Sequence, residues 1–498
     1  MRRKLDIRNV RWSLLLAVMV LLAAGCSVDP GRDTAADEAE TGSGTADGEP
    51  AAEPSSEDTS AEGNNDDGDP SAPRDYGVER FGPAPSVPEG ALSGEAEAAI
   101  SRLSTAILAG DDSSLSADVQ LLGQSDDPRV AWVLSDLLRF SQGRELGAVA
   151  TIAANQVLGT SLVDTTAWGD LTDHLIGWDI PAPPGYLDFK RSLYSTVLPA
   201  WQPFFEEGRD VDWRLVSWGG VGIDDRPFDQ TDRGCNCIPA ADNPAVTDAD
   251  GGDWYPDDGV VFGVEIDGEA RAYPRNIMEI REMVNDTLGG RDFAMPYCTL
   301  CGSAQVYFTD TVPSSVERPV LRTSGLLVRS NKVMFDVETF SVFDTFTGEA
   351  KTGPLADEGI VLPQHSVVTT TWGQWKQEHP DTTILDESLA LGRDSDLRNT
   401  RDADGPIFPI GGVDPRLGVQ DDVVGVIDSS GQAIAFPVVA AAAALEAGEQ
   451  VVFDGIEIVA EGGGYTAIDR DGNDIASHQA FWFAWSQFHP DTELWERS

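Results

Sequence analysis

Positive charge is scarce in this sequence. Its 498 residues include 34 Lys and Arg against 84 Asp and Glu, which leaves a formal net charge of −50. Phosphate backbones are bound through clustered Lys and Arg side chains, and a strongly acidic surface repels them. The composition therefore argues against a nucleic-acid partner. The length is sufficient for two or three domains with full hydrophobic cores.

Long apolar runs are also scarce, and the one near the N terminus is short. Five basic residues within positions 2–11 precede residues 12–24, which are mostly apolar. Such a run is too short to span a bilayer comfortably and is typical of an export signal. Residues 22–26 then resemble a bacterial lipobox, in which the final cysteine receives a diacylglycerol, although Ala23 stands where Leu is more usual.

These features predict a lipoprotein. We expect a signal peptide over residues 1–25, lipidation of Cys26, and a location at the cell membrane, lipid-anchored on its extracytoplasmic face. An uncleaved anchor and plain secretion are the alternatives. Residues 26–90 are rich in Asp, Glu, Gly, Ser and Pro and nearly lack large apolar side chains, so they are predicted to be a disordered acidic linker.

The next segment, residues 91–212, has apolar residues at helical spacing. Ile100, Leu103 and Ile107 follow this spacing, and a turn signal at residues 126–128 precedes another such run. The pattern predicts an all-α domain. Its helix pairs resemble HEAT-type repeats, and the alternative is a small helical domain packed on its neighbour.

From residue 213 to residue 498 the pattern changes to short strands and turns. Asp267-Gly268 lies between two apolar runs and predicts a tight β-hairpin, because this dipeptide accepts positive φ angles. A helical stretch over residues 277–284 separates this hairpin from further strands. The fold class predicted for the whole chain is α+β, with an all-α N-terminal domain followed by a β-rich domain.

This β-rich domain contains an internal repeat. Residues 372–382 and 482–492 match at seven positions without a gap, and a similar hairpin precedes each copy. The repeat predicts duplicated halves, about 255–386 and 420–495. In both copies two Trp and one His fall at i, i+3 and i+7 on one helix face, which favours a packing role for the histidines over a ligand-binding one.

Cysteine is rare, and four thiols remain once Cys26 is assigned to the anchor. They form two pairs, Cys235-x-Cys237 and Cys298-x-x-Cys301. A C-x-C disulfide closes a very small ring, so Cys235 and Cys237 are each expected to bond elsewhere. Outside the cytoplasm disulfides persist, which favours two cross-links between the loops, or one C-x-x-C disulfide with two free thiols.

Two other arrangements are open for the four cysteines. All four could converge as thiolate ligands of one metal ion, with zinc or copper as the candidates. Alternatively, the second pair could exchange disulfides, with Cys298 as the attacking and Cys301 as the resolving residue, although the βαβ context of such motifs is not evident. The second half of the duplication has no cysteines, so we place any chemistry in the first half.

Over about residues 213–498 the chain resembles the bacterial and archaeal family called domain of unknown function 3179. The resemblance implies an extracytoplasmic α+β domain with the C-x-x-C loop as its most site-like feature, and no activity. Family members often carry His where this chain has Arg281. The matching segments are residues 238–240, 242–244, 263–274, 284–286, 297–304, 324–326, 330–331, 347–350 and 353–355, and both Trp-x-x-Trp motifs.

Two function classes follow. The leading hypothesis is a membrane-anchored lipoprotein with a thiol site for metal binding or redox exchange. The competing class is a non-enzymatic surface binding or scaffold module whose cysteines only cross-link loops through disulfides. No particular reaction, substrate or protein partner is predicted.

Overall fold

A computed structural model describes residues 76–111, 113–231, 234–387 and 405–497. The predicted signal peptide, Cys26 and most of the predicted linker lie outside these ranges. Within them, no helix combines the length and the apolar character needed to cross a membrane.

The last part of the predicted linker is structured. Val78–Phe81 forms a 3-10 helix, and Phe81 is buried. The indole nitrogen of Trp178 donates a hydrogen bond to the Phe81 carbonyl at 3.1 Å. This segment therefore packs on the helical part of the chain and is not part of a disordered linker. The reason is that its few apolar residues are buried against a hydrophobic surface.

Helices form the N-terminal part of the described chain, as predicted. The first begins after Ser93, whose hydroxyl accepts a hydrogen bond from the Ala96 N–H at 3.2 Å, and ends at Gly110 in the left-handed conformation. Their apolar faces meet in one core. The α-helices are α1 (Gly94–Ala109), α2 (Leu115–Gly123), α3 (Ala131–Ser141), α4 (Glu145–Leu158), α5 (Ala167–Gly177) and α6 (Tyr186–Val197).

The C-terminal part is β-rich, so the α+β class is confirmed. Its elements up to residue 387 are β1 (Val216–Trp218), β2 (Ala241–Asp242), β3 (Val246–Asp248), β4 (Val260–Ile266), β5 (Glu269–Pro274), α7 (Arg275–Arg281), β6 (Met283–Leu288), β7 (Arg291–Cys298), β8 (Ser303–Ala304), β9 (Val306–Phe308), β10 (Leu321–Val328), β11 (Asn331–Asp336), β12 (Val342–Phe343), α8 (Gly353–Asp357), β13 (Gln364–His365), β14 (Val368–Thr371), α9 (Trp372–Glu378) and β15 (Thr383–Leu385).

The elements after residue 405 complete the fold. They are β16 (Asp422–Ile427), β17 (Ala433–Pro437), α10 (Val438–Glu446), β18 (Val451–Phe453), β19 (Ile456–Glu461), β20 (Gly464–Ile468), β21 (Asp474–Ile475), β22 (Ser477–Phe481), α11 (Trp482–Phe488) and β23 (Glu493–Leu494).

These strands form five small sheets. Their orders are β1-β10-β11-β12, β13-β9-β7-β6-β2 with β8 paired to β7, β14-β4-β5-β15-β3, β22-β16-β17-β23 and β18-β19-β20-β21. The hairpin expected at Asp267-Gly268 is the turn between β4 and β5, and both residues have positive φ.

Two of the sheets share strand order and direction. In β14-β4-β5-β15 and in β22-β16-β17-β23 the first two pairings are antiparallel and the last is parallel. Helix α9 follows β14 in the first sheet, and α11 follows β22 in the second.

The helical and β-rich parts share one hydrophobic core. Trp201 is fully buried, and its indole nitrogen donates to the Ser324 carbonyl of β10 at 2.7 Å. Trp218 of β1 stacks on Phe140 of α3, with 5.5 Å between ring centroids. The first sheet is therefore packed directly against the helices.

Candidate thiol site

The C-x-x-C segment is a tight turn between β7 and β8. Cys298 pairs with Ser303 across the two strands, and the Cys301 N–H donates to the Cys298 carbonyl at 3.2 Å. Gly302 completes the turn with φ of +60°, a conformation that favours glycine. The turn places the two sulfur atoms 3.1 Å apart, and both side chains are buried and not joined in a disulfide.

Backbone and amide oxygens lie beside these sulfur atoms. The Ser330 carbonyl is 3.8 Å from the Cys298 sulfur and 3.6 Å from that of Cys301. The side-chain oxygen of Asn331 lies 3.4 Å from the Cys301 sulfur. These oxygens can accept weak hydrogen bonds from the thiols.

A buried ion pair lies next to the thiols. The Lys332 ammonium is 3.3 Å from a carboxylate oxygen of Glu282 and donates to the backbone carbonyls of Glu282 and Tyr297. Burial lowers the pKa of Lys332, and the charges of Glu282, Cys298 and Cys301 oppose this shift. A thiolate at Cys298 or at Cys301 would therefore interact electrostatically with the ammonium.

Glu282 reaches this position through an unusual backbone conformation. It ends helix α7 in the left-handed region, with φ of +49°, and the Thr299 hydroxyl donates to its carboxylate at 3.3 Å. A non-glycine residue in this region is strained, and such strain often occurs at functional sites. Next to it, Arg281 forms an ion pair with Glu387 at 2.8 Å.

The C-terminal part of the chain covers the thiol turn. The Phe481 N–H donates to the Cys301 carbonyl at 2.8 Å, and the Phe481 ring lies against Gly302. Leu300, Phe346 and Trp482 belong to the same hydrophobic cluster as the two thiols. The sulfur atoms are thus shielded from water.

A cavity of about 200 Å³ lies beside this site. Asn331 and Lys332 of β11 line it. Trp213, from the segment after the helices, and Phe488 of α11 also line it. Asn331 therefore borders the cavity and also lies 3.4 Å from the Cys301 sulfur through its side-chain oxygen.

The other cysteine pair forms a disulfide with itself. Cys235 is bonded to Cys237, with 5.2 Å between their Cα atoms. This differs from the expectation that each sulfur bonds elsewhere. The reason is the local backbone, because Asn236 accepts a hydrogen bond from the Gly222 N–H at 2.9 Å and Cys237 pairs with Gly222. This pairing brings the two Cα atoms to a distance that disulfides accept.

The structure does not bring the four sulfur atoms together. Asp224 has ligand atoms within 4.8 Å of Cys235 and Cys237, but no cluster of three or more potential ligands within that distance joins the two cysteine pairs in the described ranges. The 3.1 Å between Cys298 and Cys301 is also shorter than the roughly 3.8 Å that two sulfurs at about 2.3 Å from a tetrahedral zinc ion would have. The two cysteine pairs therefore do not form the expected four-thiolate zinc or copper site.

Sequence reasoning missed Lys332 and Glu282 as parts of the site. They lie 34 and 16 positions from Cys298 in the chain, and no spacing rule connects them to a C-x-x-C motif. The only signal was their position next to segments that carry the family resemblance.

Comparison with known proteins gives one match. No curated protein and no solved structure matches the chain. Residues 235–492, slightly more than half of the chain, match the family described as "Protein of unknown function (DUF3179)". The matched region contains both cysteine pairs and both repeated Trp-x-x-Trp segments. The chain therefore belongs to the DUF3179 family.

Proposed function

We propose that this chain is a lipid-anchored extracytoplasmic protein that exchanges thiols and disulfides at Cys298 and Cys301. The observation that supports this function is the distance of 3.1 Å between two sulfur atoms of one turn that are not joined in a disulfide. A disulfide bond is about 2.05 Å long, so closing it requires a shift of roughly 1 Å. Such a shift is within the reach of side-chain rotation in a C-x-x-C turn.

The reaction involves two exchange steps with an external disulfide. The Cys298 thiolate attacks one sulfur of that disulfide, a mixed disulfide forms, and the other sulfur leaves as a thiolate. The Cys301 thiolate then attacks Cys298 and releases the second sulfur. The Cys298–Cys301 pair loses two electrons and two protons, and the external disulfide gains them.

Lys332 supports this chemistry. Thiolates are the reactive form of cysteine, and nearby positive charge stabilises them. A thiolate at either sulfur would lie near the Lys332 ammonium instead of in a purely apolar core. The cavity lined by Asn331 and Lys332 supplies space near the thiol turn for a reacting partner.

Thiol counting and redox titration test this function. The mature protein, with lipid on Cys26, is expected to show two titratable thiols when denatured without reductant and four after reduction. Equilibration in thiol–disulfide buffers is expected to convert one pair reversibly. Cys298→Ser and Cys301→Ser should each abolish this conversion, and the matched control Cys235→Ser/Cys237→Ser should retain it. The proposal would be contradicted if Cys298 and Cys301 could not be oxidised without unfolding the protein. If these thiols held one zinc or copper ion per chain, a metal-binding function would replace the proposed one.

A scaffold role is the second candidate, and the burial of both thiols favours it. Cys298 and Cys301 are 2% and 0% exposed and pack in the same cluster as Trp482. In that case Cys298→Ala/Cys301→Ala would lower stability without removing any reversible redox transition of the native protein.

The anchor and the helical domain belong to the same proposal. Mass spectrometry of the mature N terminus should find a diacylglycerol on Cys26, and Cys26→Ser should release the protein from membranes. We favour a packing domain over a HEAT-type solenoid for the helices, since their core continues into β1 and β10.

We also propose that the two similar sheets arose by duplication. Their identical strand order supports this origin, and so do two matching hydrogen bonds of 2.9 Å, from the Trp375 indole to the Thr382 hydroxyl and from the Trp485 indole to the Thr492 hydroxyl.

A further inference from the structure

A cluster of potential metal ligands lies away from the thiols. Glu265 is near the end of β4, His379 directly follows α9, and Glu461 ends β19. Each offers one ligand atom, and these atoms lie within 4.8 Å of one another. The Nδ1 atom of His379 is 3.2 Å from a carboxylate oxygen of Glu265. The cluster thus joins residues that are far apart in sequence and that belong to different sheets.

The His379 ring is held in one orientation. It lies against the Trp375 indole with 4.0 Å between ring centroids, and its backbone N–H donates to the Trp375 carbonyl at 2.9 Å. Its Nε2 atom is buried near Gly462 and has no hydrogen-bond partner among the described residues. The Nδ1 atom, which is 3.2 Å from a carboxylate oxygen of Glu265, is the ring nitrogen that faces the cluster.

Negative charge at the cluster is not balanced. Ligand oxygens of Glu265 and Glu461 lie within 4.8 Å of each other, and the negative charges of Asp474 and Glu378 also act on Glu461. In the described ranges, neither Glu265 nor Glu461 forms an ion pair with Lys or Arg. A divalent cation would relieve this repulsion between carboxylates.

We propose that Glu265, His379 and Glu461 bind a divalent transition-metal ion, for which zinc is the best match. One imidazole and two carboxylates are common zinc ligands, at about 2.0–2.2 Å from the metal. Two ligands of a tetrahedral ion are then roughly 3.4 Å apart, close to the 3.2 Å between His379 and Glu265. Three protein ligands leave the fourth position for water, so the site is of the open type.

The similar sheet in the C-terminal part supplies a natural control. Its His489 also lies against a Trp, with 4.3 Å to the Trp485 centroid. The residue matching Glu265 in that sheet is Ile427, and His489 instead lies beside the Phe346 ring. His489 therefore lacks the carboxylate partner that His379 has.

Zinc titration of the full-length protein by calorimetry tests the site. Sodium chloride at high concentration and millimolar calcium suppress weak binding to other acidic groups. Wild-type protein and His489→Gln are expected to bind one Zn²⁺ with equal affinity. His379→Gln and Glu265→Gln are expected to weaken binding by at least about tenfold, as loss of a residue supporting a metal site already does. Unchanged affinity in both variants would overturn the proposal.

Two further measurements separate this site from the thiols and from folding effects. Repeating the titration with the Cys298→Ser/Cys301→Ser variant should leave binding unchanged, and loss of binding in this folded variant would assign the ion to Cys298 and Cys301 instead. Because Glu265 is exposed, Glu265→Gln should fold even if His379→Gln does not, and zinc affinity of that variant alone decides the outcome. The thiol redox titration does not depend on either result.

Discussion

The indole ring of Trp375 lies directly over Gly263, so that a Cβ atom at this glycine would overlap the ring. Gly425 has the same relationship to Trp485 in the similar sheet. Both tryptophans are fully buried, and their rings therefore have little space into which to move. In each sheet, the absence of a side chain on this strand makes room for the helix that follows the neighbouring strand, β14 or β22.

Alanine substitutions at these glycines are expected to destabilise the protein. Gly263→Ala and Gly425→Ala should each lower the free energy of unfolding by about 2–3 kcal/mol through overpacking. Gly169→Ala is the control, because Gly169 lies within α5 with open space around it, and it should stabilise the helix by up to about 1 kcal/mol. Urea denaturation measures all three. Similar unfolding energies for the two strand variants and the wild type would contradict the close contact.

The two Trp–Thr hydrogen bonds should contribute similarly to stability. Thr382→Val and Thr492→Val each remove the acceptor of a buried indole N–H. Leaving such a donor unpaired costs about 1–3 kcal/mol. Equal losses measured by thermal and urea unfolding would agree with a shared architectural role. If only one of the two variants lost stability, Thr382 and Thr492 would not have equivalent roles.

The buried pair of Glu282 and Lys332 predicts strong coupling. Lys332→Met leaves the Glu282 carboxylate buried without its partner, which is expected to cost about 3–5 kcal/mol. The double variant Glu282→Gln/Lys332→Met should recover part of this loss, because no unpaired charge then remains. Arg497→Met is the control, since Arg497 pairs with Glu449 at the surface, and it should leave stability nearly unchanged. Coupling would be excluded if the stability lost by the double variant equalled the sum of the losses of Glu282→Gln and Lys332→Met.

Stability should depend on pH through two buried histidines. Burial lowers the pKa of His478 to about 3 and that of His489 to about 4, from an ordinary value of 6.5. Below pH 6.5 the unfolded chain binds protons that the folded chain does not accept. The stabilisation is therefore complete above pH 6.5 and is lost as the pH falls toward 4 and 3.

His478→Gln isolates this effect. Between pH 7 and pH 5 the wild type should lose about 2 kcal/mol more unfolding free energy than the variant, at about 1.4 kcal/mol per pH unit below 6.5. Because the two proteins share all their carboxylates, the difference between them removes the large acidic background. Parallel pH profiles would show that His478 is protonated in the folded protein at pH 5.

Local patterns predicted several parts of this fold. The Asp267-Gly268 hairpin follows from the two dihedral angles that a tight turn requires, and these depend only on neighbouring residues. The helices of the N-terminal part follow from apolar spacing in the same way. The C-x-x-C turn was also found as the most distinctive local feature, because two cysteines three positions apart need no tertiary information to be recognised.

Prediction was weaker wherever distant segments meet. The C-x-C pair was expected to bond elsewhere on the basis of ring size, yet the pairing of Cys237 with Gly222 positions both Cα atoms for a mutual disulfide. Glu282 and Lys332 reach the thiols from α7 and β11, and His379 reaches Glu461 from another sheet. No periodicity or residue spacing in the sequence predicts these contacts.

By itself, the sequence determined the acidic character of this protein, its α+β class, its family, and the turn that carries two neighbouring thiols. These properties depend on composition or on residues within one turn or one helix of each other. Only the tertiary structure decided which sulfurs are joined in a disulfide, which charges surround Cys298 and Cys301, and which carboxylates lie beside His379. Those outcomes depend on how five small sheets and a layer of helices pack, and packing is set by many weak contacts between residues far apart in the chain.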